Sequence, residues 1–152
     1  MLALDPLKQG SAHLLLQLYD QRREPTLRAA RDWFTLEFHP ESANDVLKTW
    51  MGPASTPYRM VTTYWEMAAS FVTQGAIDPT LFYAAHSEYL SVYAKLEPFL
   101  AEVRTRVGQA SYLEHLERVV VEMPDSAARL DGMRRYLAAK RQQGSGAPAS
   151  GG

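Results

Sequence analysis

The side chains whose types and spacing best suggest chemistry are Glu66 and His86. A carboxylate and an imidazole held side by side can trade a proton near neutral pH or supply two ligands to a metal ion. Their places in the chain suggest such a meeting. A short link at 75–78 separates two apolar-striped segments, 57–75 and 79–107. Helices joined by so short a connection lie antiparallel, and residues equidistant from the turn share a level. Glu66 and His86 are nearly equidistant, and so are Tyr64 and Glu88. The plainer account of the first pair is a partly buried hydrogen bond between neighbouring helices, since structural pairs also perturb pKa values. Arg104 is the third candidate for a ligand-binding role. It can reach a carboxylate or an anion, or form a surface ion pair worth ~0–1 kcal/mol.

Other chemistry finds less support. There is no cysteine, so a disulfide framework, thiolate metal sites and thiol nucleophiles are excluded. A carboxylate-bridged di-metal bundle needs repeated Glu-x-x-His spacings, and Glu114 and His115 are adjacent instead. No Gly-x-Ser-x-Gly, His-Glu-x-x-His or phosphate-binding glycine loop occurs, nor any recognisable Ser-His-Asp order. His13 and His39 fall near expected helix ends, in solvent. No catalytic residue, metal or cofactor is expected. Arg22, Arg23, Arg28 and Arg31 make a modest basic cluster, diluted by Glu24 and Asp32. It reads as a solvated helix face, with Glu24 and Arg28 at ion-pair spacing.

The elements that must position these residues are helical throughout. Apolar residues recur at three and four positions, as a helix face requires. A first helix is expected from an N-cap at Ser11, with Pro25 inside or just beyond it. Leu27, Ala30, Phe34 and Phe38 carry the pattern on to Pro40, and 42–51 forms a short helix. Thr56 and Pro57 open the next helix, which Gly75 ends in a left-handed turn. Asp78 followed by Pro79 is the clearest start signal in the chain. From there Phe82, Ala85, Tyr89, Val92, Leu96, Val103 and Val107 keep nearly one face. One long helix is therefore expected over 79–107, kinked where Pro98 denies a donor to Ala94. A further helix starts at Ser111, and the last follows Asp125 or Ser126 and buries Leu130, Met133 and Leu137. The expected fold is an all-α irregular bundle of five or six helices centred on the antiparallel hairpin 57–75/79–107. Residues 1–143 form one domain, and the Gly/Ser/Ala-rich stretch 144–152 is expected to be a disordered tail.

Several of these residues carry a resemblance. Tyr64-Trp65-Glu66, Gly75-Ala76-Ile77-Asp78 and Leu81-Phe82-Tyr83, followed by Tyr93, Leu96, Pro98, Phe99 and Arg104, resemble a family of uncharacterised bacterial and phage proteins known as DUF4760. The run from Tyr112 to Glu117 is similar to a downstream helix of that family. The resemblance implies a helical fold and no established activity. Many members look as though they carry an N-terminal membrane helix, which implies an accessory role in a membrane-associated system.

Composition bounds the remaining functions. The 152 residues suffice for a self-contained core. A net charge of −1 with mixed signs gives no footprint for nucleic acid or anionic membrane. The longest apolar run near the start, Leu14-Leu15-Leu16, is far too short to span a bilayer, and no secretion signal precedes it. A cytoplasmic location is expected. Aromatic residues are numerous, and the adjacent pair Tyr64 and Trp65 widens the apolar arc beyond what one partner helix covers. Tyr64, Trp65, Tyr89 and Tyr93 are therefore expected as interface anchors of a homo-oligomer or protein complex. The expected function is a non-enzymatic, self-associating interaction module. The alternatives are a small-ligand or metal-binding protein, or an enzyme, using Glu66, His86 and Arg104, or the membrane-linked role.

Overall fold

The computed structural model describes residues 3–145. The chain is all-helical there, with eight helices rather than five or six and no strand among the described residues. They are α1 (Pro6–Arg22), α2 (Pro25–Leu36), α3 (Ala43–Met51), α4 (Ser55–Thr73), α5 (Pro79–Ala85), α6 (Glu88–Val107), α7 (Glu114–Glu122) and α8 (Ser126–Ser145). Gly144 and Ser145 belong to α8, not to a tail, and the rest of the expected tail lies outside the described residues.

Three helices share one start device. Asp5-Pro6, Glu24-Pro25 and Asp78-Pro79 each place an acid at the N-cap and a proline in the first turn. The acid's side chain accepts from the next free amides, and the proline lacks the amide that would go unpaired there. This device moves the start of α1 from the expected Ser11 to Pro6. Ser11 is buried, and its hydroxyl instead accepts from the backbone amide of Asp78 at 2.9 Å. In the same way Glu24 and Pro25 separate α1 from α2 outright.

The expected single helix over 79–107 is two helices. The break falls at His86, whose backbone is extended, and not at Pro98, which lies inside α6. Packing explains the position. Phe82 and Tyr89 would stand roughly 10 Å apart along a continuous helix, yet their ring centroids are 4.9 Å apart. The break turns His86 inward between Trp65 and Phe82, at 5.5 and 5.2 Å.

Gly75, at φ 82, reverses the chain after α4 as expected. The two arms of that turn are not the central packing pair, however. α4 packs chiefly on α2 and α7, α5 rests on α1, and α6 sits among α3, α7 and α8. The bulk of Trp65 and Tyr89, whose rings meet at 6.0 Å, fills the space where two closely packed rods would touch. α4 is the hub and buries Tyr58, Val61, Tyr64, Trp65, Ala68, Ala69 and Val72. The buried apolar residues run from Leu15 to Met123, and α8 adds only the partly buried Leu130 and Met133 to the core.

Candidate functional site

Glu88, at the start of α6, gathers most of the buried charge. Its carboxylate accepts from Arg31 Nη2 at 2.6 Å and Nε at 2.8 Å, from Arg22 Nη2 at 3.2 Å and from Trp65 Nε1 at 3.2 Å. Arg31 Nη1 also donates to the Arg22 carbonyl at 3.1 Å, tying α2 to the end of α1. The Arg22 guanidinium lies 5.3 Å from the Trp65 ring centroid. Burial pushes the Glu88 carboxyl up, but the hydrogen bonds and charge of Arg31, with Trp65 and Arg22, outweigh it and hold the group below the usual carboxylate range. The two arginines were expected on a solvated face. They turn inward because one carboxylate can accept from both.

His86 belongs to the same cluster. Its Nδ1 is 3.3 Å from Arg22 Nη1. A guanidinium only donates, so Nδ1 accepts and the neutral ring carries its proton on Nε2. That Nε2 is buried without a protein partner, as is Arg22 Nε. Burial and then the Arg22 charge, opposed by Glu88, push the His86 imidazole down to about 4. At neutral pH it is therefore uncharged.

Glu66 lies in a different neighbourhood. Its carboxylate accepts from the backbone amides of His115 at 3.0 Å and Leu116 at 2.8 Å. The N-cap position of α7 is Leu113, in a left-handed conformation and with no side-chain acceptor. Glu66 reaches across from α4 to supply what leucine lacks. The start of α7 is thus Glu114, where the sequence suggested Ser111. Replacing Glu66 with Ala is expected to destabilise the protein by about 1–2 kcal/mol, read as a shift in urea midpoint at unchanged slope. A loss under about 0.3 kcal/mol would mean that water caps α7 equally well.

Arg104 serves the same junction. Its Nε donates to the Tyr112 carbonyl at 2.8 Å, and Nη1 donates to Glu117 at 3.2 Å. Nη2 is buried without a protein partner. The hydroxyls of Tyr58 and Tyr112 meet at 2.6 Å, under a Trp50–Tyr112 stack of 4.6 Å. Glu66 and Arg104 are thus both engaged at the start of α7, whereas His86 sits with Arg22 and Glu88. The structure does not bring the three together. The cleft beside α8 is lined by other residues. Among the described residues no group of three or more His, Asp and Glu is placed to hold a metal ion. Tyr64, Trp65, Tyr89 and Tyr93 are all buried within the chain.

A cleft of ≈ 580 Å³ opens between α6, α8 and the link after α2. Ala94, Pro98, Phe99, Pro40 and Leu137 give it apolar walls, and Lys95, Arg134 and Arg141 border it. Lys95 Nζ donates to the carbonyls of Phe34 at 2.6 Å, Thr35 at 3.2 Å and Phe38 at 2.8 Å, closing the last turn of α2. Burial, with Arg141 adding to it, pushes the Lys95 ammonium down to about 8. Arg134 pairs with Glu97 at 2.8 Å and Arg141 with Glu41 at 2.7 Å. Sequence reasoning missed both this cleft and the Glu88 cluster. No local pattern marks either, because each is assembled from helices far apart in the chain.

Among the described residues no helix is long and apolar enough to cross a membrane. No curated protein and no solved structure matches the chain. Residues 10–123 match the family model of DUF4760, a domain of unknown function, and the chain belongs to that family.

Proposed function

We propose that this protein is a non-enzymatic helical interaction module that associates with itself. One observation carries the reading: a whole helix, α8, lies on the outside of the core and adds to it only partly buried side chains. No described side chain of α8 is fully buried. Leu130 and Met133 press on the core, and Leu137 borders the open cleft instead of closing it. The face of α6 around Pro98 and Phe99 therefore accepts a largely polar helix loosely, with Glu97 and Glu41 receiving its arginines. A surface that holds its own helix by a narrow apolar stripe and two exposed ion pairs suits exchangeable contacts better than permanent ones.

The associating surface is not the aromatic set Tyr64, Trp65, Tyr89 and Tyr93, because the core consumes it. The test is light scattering of the full chain over a wide range of concentration. The mass is expected to rise from one chain toward two. A single-chain mass at every concentration, including after refolding from denaturant at high concentration, rules the reading out.

A further inference from the structure

We propose that α8 exchanges between two copies of the chain, each donating its last helix to the α6 face of the other. This rests on the self-association reading and names its partner as a second copy. The family match ends at residue 123, as do the fully buried apolar residues. The buried apolar set thus ends just before α8, which packs on α6 and α7 through partly buried side chains.

The connection between the two has the geometry of a hinge. Only Met123, Pro124 and Asp125 join α7 to α8. Met123 is buried and already extended, at φ −69 and ψ 146, as a residue before proline prefers. Pro124 prevents α7 from running on into α8. The whole return of the chain therefore falls on Asp125, which holds a left-handed φ of 57. An L-residue meets a steric penalty in that conformation, smaller for aspartate than for most others but absent for glycine. If Asp125 alone relaxes to an extended conformation, α8 swings away while Met123 stays anchored. Short hinges under strain favour domain swapping, and exchange replaces each closed contact with an identical one from the partner.

Charge favours the same occupant. α8 carries Arg129, Arg134, Arg135, Lys140 and Arg141 against one acid, Asp131. The whole chain has a net charge of −1, so the remainder is acidic. A basic helix detached from one copy finds on the second the same Glu97 and Glu41, and the same apolar floor, that it left. Apart from the hinge, where the bond from the Ser126 hydroxyl to the Val120 carbonyl at 2.7 Å must open, nothing needs to be remodelled.

The protein lacks cysteine, which allows a direct test of connectivity. Two full-length chains are made, one with Glu97→Cys and one with Arg134→Cys. They are mixed in denaturant, refolded together at high concentration and treated with a short bismaleimide. Exchange places residue 134 of one chain beside residue 97 of the other, so a covalent heterodimer is expected on a denaturing gel. Chains folded separately and mixed briefly should give at least tenfold less. Two hinge variants provide a second readout in unlabelled protein. Asp125→Pro cannot adopt the left-handed turn and should raise the dimer fraction severalfold, whereas Asp125→Gly relieves the strain and should lower it. Dimers by light scattering with no cross-linked heterodimer would overturn exchange and leave self-association standing. A dimer fraction unmoved by Asp125→Gly would also overturn it. A strict monomer throughout would end both proposals.

Discussion

Glu88→Gln is expected to lower the unfolding free energy by about 3–5 kcal/mol, the usual loss when one partner of a buried ion pair is removed. The side chains of Arg22, Arg31 and Glu88 are each exposed by 20 % or less. Glutamine keeps the shape and can still accept from Trp65, but it leaves two largely buried guanidiniums without a counter-charge. The cost therefore comes from stranded cations more than from lost hydrogen bonds. Urea unfolding should show the midpoint falling at constant slope. The triple replacement Arg22→Met, Arg31→Met, Glu88→Leu should recover most of the loss, because no charge is then left unpaired. If Glu88→Gln costs under 1 kcal/mol, water is screening the cluster and it does not organise the α1, α2 and α6 junction.

The second large effect is on acid stability. The His86 imidazole titrates near 4 in the folded chain, against 6.5 for an unperturbed group. Between those values the unfolded chain binds a proton that the folded chain refuses. Stability is thus full above pH 6.5 and falls as the pH drops toward 4, by about 3 kcal/mol in all. Glu88, held below its ordinary value of 4.5, adds its own loss in the range below that. The two windows succeed one another and have the same sign. Thermal melting at half-unit intervals from pH 7.5 to 4 should show the decline, and His86→Asn should flatten it. Asparagine can present an oxygen to Arg22 where Nδ1 now accepts, without a titratable proton. An unchanged pH profile in that variant would place the acid sensitivity elsewhere.

The residues that carry the family likeness turn out to work on assembly. Glu66 and Arg104 both hold the start of α7, Trp65 donates to Glu88, and Asp78 caps α5. Most are far apart in sequence and act across helix junctions. Such positions serve the packing of helix on helix, whatever the protein does.

By itself the sequence determined the helical class, the reversal at Gly75 and the cap at Asp78. These depend on neighbouring residues: a repeat of three and four, a glycine free to adopt positive φ, an acid placed before a proline. The Asp5-Pro6 start was open to the same reading, and Ser11 obscured it only because a serine near an apolar run also looks like a cap. Tertiary structure alone decided the break at His86, since nothing local forbids a helix there. The gain comes from Phe82 meeting Tyr89 and from Glu88 meeting two arginines that belong to other helices. It also decided which carboxylate serves which partner. Glu66 and His86 are near one level in the chain, yet level says nothing about rotation around each helix axis. Rotation is set by packing of the whole core, and it sends Glu66 toward α7 and His86 toward α1. Charge pattern misled for the same physical reason. An arginine exposed on its own helix is buried once another helix offers it a carboxylate.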